Sequence, residues 1–157
     1  MKRKIVERVI VGVICSILIV RCFVCDLIVV KGDSMLPGFS DKDIVLITKI
    51  RLEYKRFDVI VINTDVGCII KRIIGLPGET VQIKNGAVYI DDCLLVDDYV
   101  DGLMSYAGIA AEPIVLHENE YFVLGDNREI SNDSRNEIVG IINGKQIVGI
   151  VKKQIVR

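Results

Sequence analysis

The sequence has little from which a metal centre or a histidine-based active site could be built. Its one histidine, His117, lies among acidic residues with no serine motif nearby, so a solvated surface position is expected. Of its five cysteines, Cys22 and Cys25 have C-x-x-C spacing, but no second pair and no histidine follow to complete a zinc site. We therefore expect no metal and no cofactor, and interpret the cysteines as small buried hydrophobic residues.

A strong net charge and a disorder-promoting composition are also absent. The 20 Lys and Arg residues nearly balance 21 Asp and Glu residues, giving a formal charge of -1 and no overall attraction to nucleic acid. Three prolines, 13 glycines and no low-complexity run argue against disorder, and 157 residues suit about one domain. A mean hydropathy of +0.44 is high for a soluble domain and indicates a membrane segment.

The N-terminus supplies such a segment. A basic start is followed by an apolar run over residues 9–20, with no alanine and no small-x-small exit that would allow removal as a signal peptide. The pattern predicts an uncleaved anchor over residues 5–20, with the basic end in the cytoplasm. The domain division is then residues 1–21 for the anchor and 22–157 for an extracytoplasmic β-rich domain. The alternative is a buried helix of a soluble domain.

The rest of the chain alternates short apolar runs with turn residues. Asn85-Gly86 predicts a type I′ hairpin turn, because both positions of that turn need positive φ. Residues 91–118 are acidic and irregular, which predicts an exposed excursion. Such spacing is typical of a mainly β fold, a partly closed barrel or sandwich. The predicted strands are residues 23–30, 43–49, 58–63, 69–75, 80–84, 87–90, 120–124, 138–142 and 147–151.

Three stretches could carry chemistry. Lys71 stands in an otherwise apolar strand, where desolvation would lower its pKa and let a neutral amine act as a base; alternatively it extends its head into water. Ser34 lies in a Gly- and Pro-bounded turn and is either a turn former or a nucleophile. The polar stretch 125–135 is either a solvated loop or a networked active-site loop.

Taken together, these stretches resemble the bacterial type I signal peptidases, specifically their small Gram-positive type. The resemblance rests on three motifs in the family's order: Gly32-Asp-Ser-Met-Leu-Pro37, Lys71-Arg-Ile-Ile-Gly-Leu-Pro-Gly-Glu79, and the stretch from Gly125 to Arg135. It implies a signal-peptidase-type β-domain behind one N-terminal transmembrane helix. It also implies a membrane-bound serine endopeptidase that uses a Ser/Lys dyad.

The resemblance assigns roles to matching positions. Ser34 would be the nucleophile, Lys71 the general base, and Ser131 the residue that hydrogen-bonds and orients the lysine. Gly32 stands where some members carry a serine that helps to bind the oxyanion. Supporting ion pairs would join Arg72 to Asp126 and Asp133 to Arg135, and the substrate pocket would be lined by Ile28, Val30 and Ile70.

The implied activity is removal of signal peptides from exported preproteins at the outer face of the cytoplasmic membrane. The partners would be signal peptides and the phospholipid bilayer. A self-cleaving repressor of the related Ser/Lys class is a weaker reading, because the N-terminus has no helix-turn-helix pattern. A non-enzymatic alternative is a membrane-anchored β-module, or an inactive homologue that binds signal peptides without cutting them.

Overall fold

The computed structural model describes residues 2–50, 53–65, 67–100 and 102–156. It begins with helix α1, Lys2–Phe23, which contains the predicted anchor; the side chains of residues 2–5 and 18–23 lie outside the described part. In the portion of the chain that the structure describes, no helix is apolar and long enough to span a bilayer.

Eleven strands follow the helix in the described chain, and most of them are rich in β-branched residues. They are β1 Cys25–Val29, β2 Ile44–Thr48, β3 Val59–Thr64, β4 Gly67–Gly75, β5 Thr80–Lys84, β6 Ala87–Ile90, β7 Cys93–Leu94, β8 Ile114–Val115, β9 Glu120–Leu124, β10 Ile142–Asn143 and β11 Ile147–Val156.

The strands form two antiparallel sheets. The larger has seven strands in the order β1-β2-β11-β3-β4-β9-β10, and the smaller has four in the order β7-β6-β5-β8. The mainly β prediction is confirmed. Of the predicted partly closed barrel or sandwich, the described residues form no closed barrel, because β1 and β10 remain at opposite edges of the larger sheet. β11 is inserted between β2 and β3, so it joins the β1–β2 pair to the β3–β4 pair.

The core lies on both faces of the larger sheet. One cluster joins the two sheets through Ile74, Val81 and Phe122, all fully buried. A second packs Ile60, Ile73 and Val123 on the opposite face. β4 is buried from Lys71 to Gly75 because partners on both sides and residues on both faces cover it. A charged side chain in this part of β4 is therefore removed from water.

The excursion at residues 91–118 is mostly exposed, as the sequence predicts, but it is more ordered than expected and is attached to the domain at three buried residues. It contains β7, β8 and a 3₁₀ helix over Gly108–Ala111, and it buries Met104, Ala110 and Leu116. The N–H of Met104 donates to the carbonyl of Gly86, and a Cβ on Gly86 would come within 2.7 Å of the Met104 carbonyl oxygen. The hairpin turn itself is as predicted, with φ of 51° at Asn85 and 78° at Gly86.

Near the C-terminus one predicted strand is wrong. Residues 138–141 form turns, and only Ile142 of the predicted strand 138–142 is in β10. The amides of Val139 and Gly140 both donate to the carbonyl of Asn136, and Gly140 has φ of 59°. Because of this turn the predicted strand does not form before Ile142, although Val139 and Ile142 are both buried in the core.

Candidate active site

Ser34 lies in the turn between β1 and β2. The turn closes through the Val30 amide, which donates to the carbonyl of Asp43 at 2.8 Å. The Gly32 amide donates to the Asp41 carboxylate at 2.9 Å, and its φ of 78° favours glycine at this position. These hydrogen bonds hold the backbone of the turn in place and so fix the position of Ser34.

Lys71 lies in β4, opposite Ile60 of β3. Its Nζ donates to Oγ of Ser34 at 2.7 Å, and only 3% of the residue is exposed. Burial lowers the pKa of Lys71, whereas the negative charges of Asp133 and Asp126 act in the opposite direction and raise it. A buried amine with a depressed pKa, in contact with a hydroxyl, is equipped to remove that hydroxyl's proton.

The polar loop after β9 is organised by a buried ion pair. Asp133 receives two hydrogen bonds from Arg135, at 2.8 Å from Nε and 3.0 Å from a terminal nitrogen, and a third from the Gly125 amide at 3.1 Å. Arg135 also donates to the carbonyl of Arg128 at 2.6 Å. The loop is thus a paired network rather than a solvated loop.

Gly125 joins this loop to the Ser34 turn. A Cβ on Gly125 would lie 2.4 Å from the Ser34 carbonyl oxygen and 2.2 Å from Oγ of Ser131. The same Ser34 carbonyl accepts from the Asn127 amide at 3.1 Å. Only glycine allows this approach of the two backbones, and the approach fixes Ser34 relative to the loop.

Ser131 lies beside this contact, but the hydrogen bond predicted from it to Lys71 is not made. Its Oγ is buried and has no hydrogen-bond partner among the described residues. The Lys71 amine donates its side-chain hydrogen bond to Ser34 instead. The lysine-orienting role of Ser131 therefore stays a prediction.

Arg72 and Asp126 form the second ion pair. Nε of Arg72 lies 2.8 Å from one carboxylate oxygen of Asp126, and a terminal nitrogen lies 2.7 Å from the other. A further guanidinium nitrogen donates to the Phe57 carbonyl at 2.9 Å. The pairing is bidentate and buried. Because Arg72 directly follows Lys71 in β4, its side chain faces the opposite side of the strand.

Two supports of the site come from the excursion, and the sequence reasoning missed both. The ring of Tyr99 lies over the guanidinium of Arg72, with Cζ 3.7 Å from the ring centroid. Asp97 pairs with Arg128, whose Nε donates to the Gly125 carbonyl at 2.9 Å. The only sequence signal for these contacts was Arg128 in the polar loop, because a buried guanidinium needs a carboxylate partner.

A cavity of about 300 Å³ contains both Ser34 and Lys71, and its apolar walls are Ile69, Ile130 and Val139. The three residues predicted for the substrate pocket, Ile28, Val30 and Ile70, are not among those that line it. Val30 is buried in a core cluster, and half-buried Ile28 and Ile70 pack against that cluster. Ile70 points away because strand alternation places Ile69 on the face of Lys71. Their substrate role stays a prediction.

Among the described residues, no group of three or more His, Cys, Asp or Glu side chains is arranged to hold a metal ion. The chemistry available at this site is that of the hydroxyl, the amine and the backbone amides around them.

Comparison with known proteins gives consistent matches. Residues 3–156 match the family model described as signal peptidase, peptidase S26. Signal peptidase I S of Bacillus subtilis (strain 168) is 36% identical over 96% of this chain and 89% of its own length. A signal peptidase I of Bacillus amyloliquefaciens is 35% identical over 93% of this chain and 83% of its own length. The crystal structure of a signal peptidase I from Enterococcus faecalis V583 superposes with a TM-score of 0.54 at 32% identity, covering 64% of this chain and 98% of that one.

Proposed function

Because this chain belongs to the signal peptidase family, peptidase S26, we propose that it is a serine endopeptidase that removes signal peptides from exported preproteins. Ser34 is the nucleophile and Lys71 the general base. The observation that supports these roles is the 2.7 Å hydrogen bond between Nζ of Lys71 and Oγ of Ser34 at a nearly fully buried lysine.

The proposed reaction has two steps. Neutral Lys71 takes the Ser34 Oγ proton as Oγ attacks the carbonyl carbon of the scissile bond, and the resulting ammonium gives a proton to the leaving amine. A water molecule, deprotonated by the same amine, then attacks the ester and releases the signal peptide as an acid. As the ester bond breaks, the ammonium of Lys71 returns the proton from water to Ser34 Oγ, which restores the hydroxyl and the neutral amine. Desolvation of Lys71 supports this scheme because it favours the neutral amine.

The oxyanion is stabilised by backbone amides in this proposal. Gly32 provides no side-chain hydroxyl, so the donors would be the N–H of Ser34 and a neighbouring amide. One such donor is typically worth about 3 kcal/mol of the activation barrier. The Gly32 φ of 78° and the short Gly125–Ser34 approach support a rigid arrangement of these amides.

The substrate would bind as an extended strand beside β4. Pairing of β9 with β4 begins at Arg72, so residues 67–70 have a free edge on the side away from β3. An extended peptide can add its backbone hydrogen bonds there and bring its scissile bond to Lys71. Small residues at the first and third positions before the bond would fill shallow apolar pockets, for which Ile28, Val30 and Ile70 are the candidates.

The proposal includes a single membrane anchor, residues 1–21, with the N-terminus in the cytoplasm and the catalytic domain, residues 22–157, outside. The exposed apolar side chains of α1 support lipid contact, since Val9, Ile10, Val13 and Ile17 are each more than half exposed. The basic residues at the start of the chain support the orientation. Membrane fractionation and protease accessibility of the β-domain in intact cells test this topology.

The activity is tested with a fluorogenic peptide that carries Ala-x-Ala before the scissile bond, using the full chain in detergent. Wild type should cut after the second alanine, and Ser34→Ala and Lys71→Ala should be folded but inactive. Lys152→Ala, at an exposed lysine in β11, is the matched control and should retain activity. Turnover by Ser34→Ala would contradict the proposal. A folded, inert wild type that still binds the peptide would support the non-enzymatic binding module.

A further inference from the structure

β4 has two different faces along its free edge. Ile70 lies opposite Val61 of β3 and packs against the core cluster that contains Val61. Ile69 lies opposite Ile62 and packs against the core cluster on the other face of the sheet. Lys71 shares the face of Ile69, because side chains alternate along a strand. A peptide that pairs with this edge therefore directs every second side chain to the face of Ile70 and the others to the face of Lys71.

In such a peptide the second residue before the scissile bond points to the Lys71 face. The proposed pockets for the first and third residues involve Ile28, Val30 and Ile70, which all belong to or pack against one core cluster. Neighbouring residues of an extended peptide point to opposite faces. The side chain between the two small residues is therefore directed to the face that carries Ile69 and Lys71.

The cavity of about 300 Å³ that contains Ser34 and Lys71 includes this face. Its apolar walls are Ile69, Ile130 and Val139. Val139 is buried in the core cluster against which Ile69 packs, so these two walls are held in place. The cavity can therefore receive an aliphatic side chain next to the two proposed reacting groups.

Ile130 forms the solvent-exposed wall of this cavity. It is the one residue with an apolar side chain between Gly125 and Arg135, and it is 62% exposed. An aliphatic substrate side chain in the cavity would cover part of Ile130, and removal of apolar surface from water is favourable in proportion to its area. A polar side chain of similar size would lose water at the same contact without a comparable gain.

We infer that this cavity binds the side chain of the second residue before the scissile bond, the x of Ala-x-Ala. It favours a branched aliphatic residue there, and Ile130 is a specificity-determining residue for that position. This preference rests on the proposed peptidase activity and adds to it a selection at a position that the requirement for two small residues leaves open.

The experiment compares three fluorogenic peptides that differ only in the x of Ala-x-Ala, which is leucine, asparagine or alanine, with the full chain in detergent. For wild type we expect kcat/KM to be about threefold to tenfold higher for leucine than for asparagine or alanine, because the contact is apolar but the cavity is open. In Ile130→Ser the ratio of leucine to asparagine should fall towards one. Ile130→Leu, which restores an aliphatic wall, should retain the preference.

The matched control is Ile138→Ser. Ile138 is 64% exposed and lines a different cavity, with Tyr106 and Ile109, so this variant should keep the wild-type ratio. A general disturbance of the fold would lower cleavage of all three peptides and leave the ratio unchanged.

Three results would overturn the inference and leave the peptidase proposal standing. They are equal cleavage of the three peptides by wild type, an unchanged ratio in Ile130→Ser, and an equal loss of preference in Ile138→Ser. Failure of the peptidase proposal is seen separately, as no Ser34-dependent cleavage of any peptide.

Discussion

Nζ of Lys71 lies 2.7 Å from Oγ of Ser34, although the two residues are 37 positions apart in the chain. The contact brings a group that is normally charged into a site where only 3% of the residue meets water. It has two effects, one on the reaction and one on the stability of the fold, and each can be measured.

The proposed reaction requires the neutral form of the Lys71 amine. Because burial lowers the pKa of Lys71, kcat/KM should rise with pH through a limb below the ordinary lysine value of about 10.4. Lys71→Arg should be inactive at every pH, since a guanidinium stays protonated. The measurement is a pH–rate profile on the Ala-x-Ala peptide. Turnover by Lys71→Arg, or a profile without this limb, would remove Lys71 from the base role.

Burial of the Lys71 amine lowers the free energy of unfolding near neutral pH, whereas a normal salt bridge raises it. The folded pKa of Lys71 is lowered, so the unfolded chain binds more protons and stability increases with pH between that value and about 10.4. Lys71→Met should therefore raise the free energy of unfolding near neutral pH by about 1–2 kcal/mol, and this gain should shrink as the pH rises. Urea unfolding at several pH values measures it, with Lys152→Met as the exposed control. A destabilised Lys71→Met would contradict the prediction.

The buried pair of Arg72 and Asp126 should matter far more than an exposed one. Asp126→Asn leaves a buried guanidinium without its carboxylate and should cost about 3–5 kcal/mol. The matched change in the exposed Lys84–Asp92 pair, Asp92→Asn, should cost about 1 kcal/mol or less. Denaturant unfolding of both variants checks the contrast, which similar losses would refute.

Gly125→Ala should affect the reaction through geometry. The new Cβ would come within 2.4 Å of the Ser34 carbonyl oxygen, so the turn or the loop must move. A displacement of about 1 Å at a reacting group typically costs about 100-fold in rate. Steady-state kinetics should show this loss in kcat, whereas Gly12→Ala, whose Cβ meets nothing, should behave as wild type. Full activity in Gly125→Ala would mean that the close approach is dispensable.

Ser131→Ala separates packing from orientation of the lysine. The hydroxyl is buried without a partner among the described residues, so its removal should leave the free energy of unfolding unchanged or slightly higher. If Ser131 orients Lys71 during turnover, kcat should still fall by about tenfold or more. Thermal unfolding and kinetics on one preparation test both parts. Unchanged kcat would refute the orienting role.

Local patterns predicted some of the fold closely. β5, β6 and β9 have the predicted bounds, because alternation and an Asn-Gly turn determine them within a few residues. The helix extends to Phe23, so β1 starts later than predicted. The strand prediction for residues 138–142 is wrong because Val139 is buried from a turn, and only Ile142 belongs to a strand.

The site was predictable where its motifs are contiguous in sequence. Ser34, Lys71 and the polar loop belong to such motifs. Asp97 and Tyr99 do not, since their partners Arg128 and Arg72 lie 31 and 27 positions away and become partners only through tertiary packing. An acidic stretch viewed alone is indistinguishable from a solvated loop, and this is why the contacts of Asp97 and Tyr99 with the site were not predicted.

The position of β11 in the larger sheet determines when Ser34 and Lys71 can come together during synthesis. Ser34, the proposed nucleophile, follows β1, and Lys71, the proposed base, lies on β4. Within the larger sheet the β1–β2 and β3–β4 pairs meet only through β11. A ribosome or translocase delivers Ser34 and Lys71 long before it delivers Ile147. A nascent chain that has not yet released β11 lacks the strand that sets its two catalytic groups side by side. We expect the proposed Ser34–Lys71 dyad to form only after β11 has been synthesised.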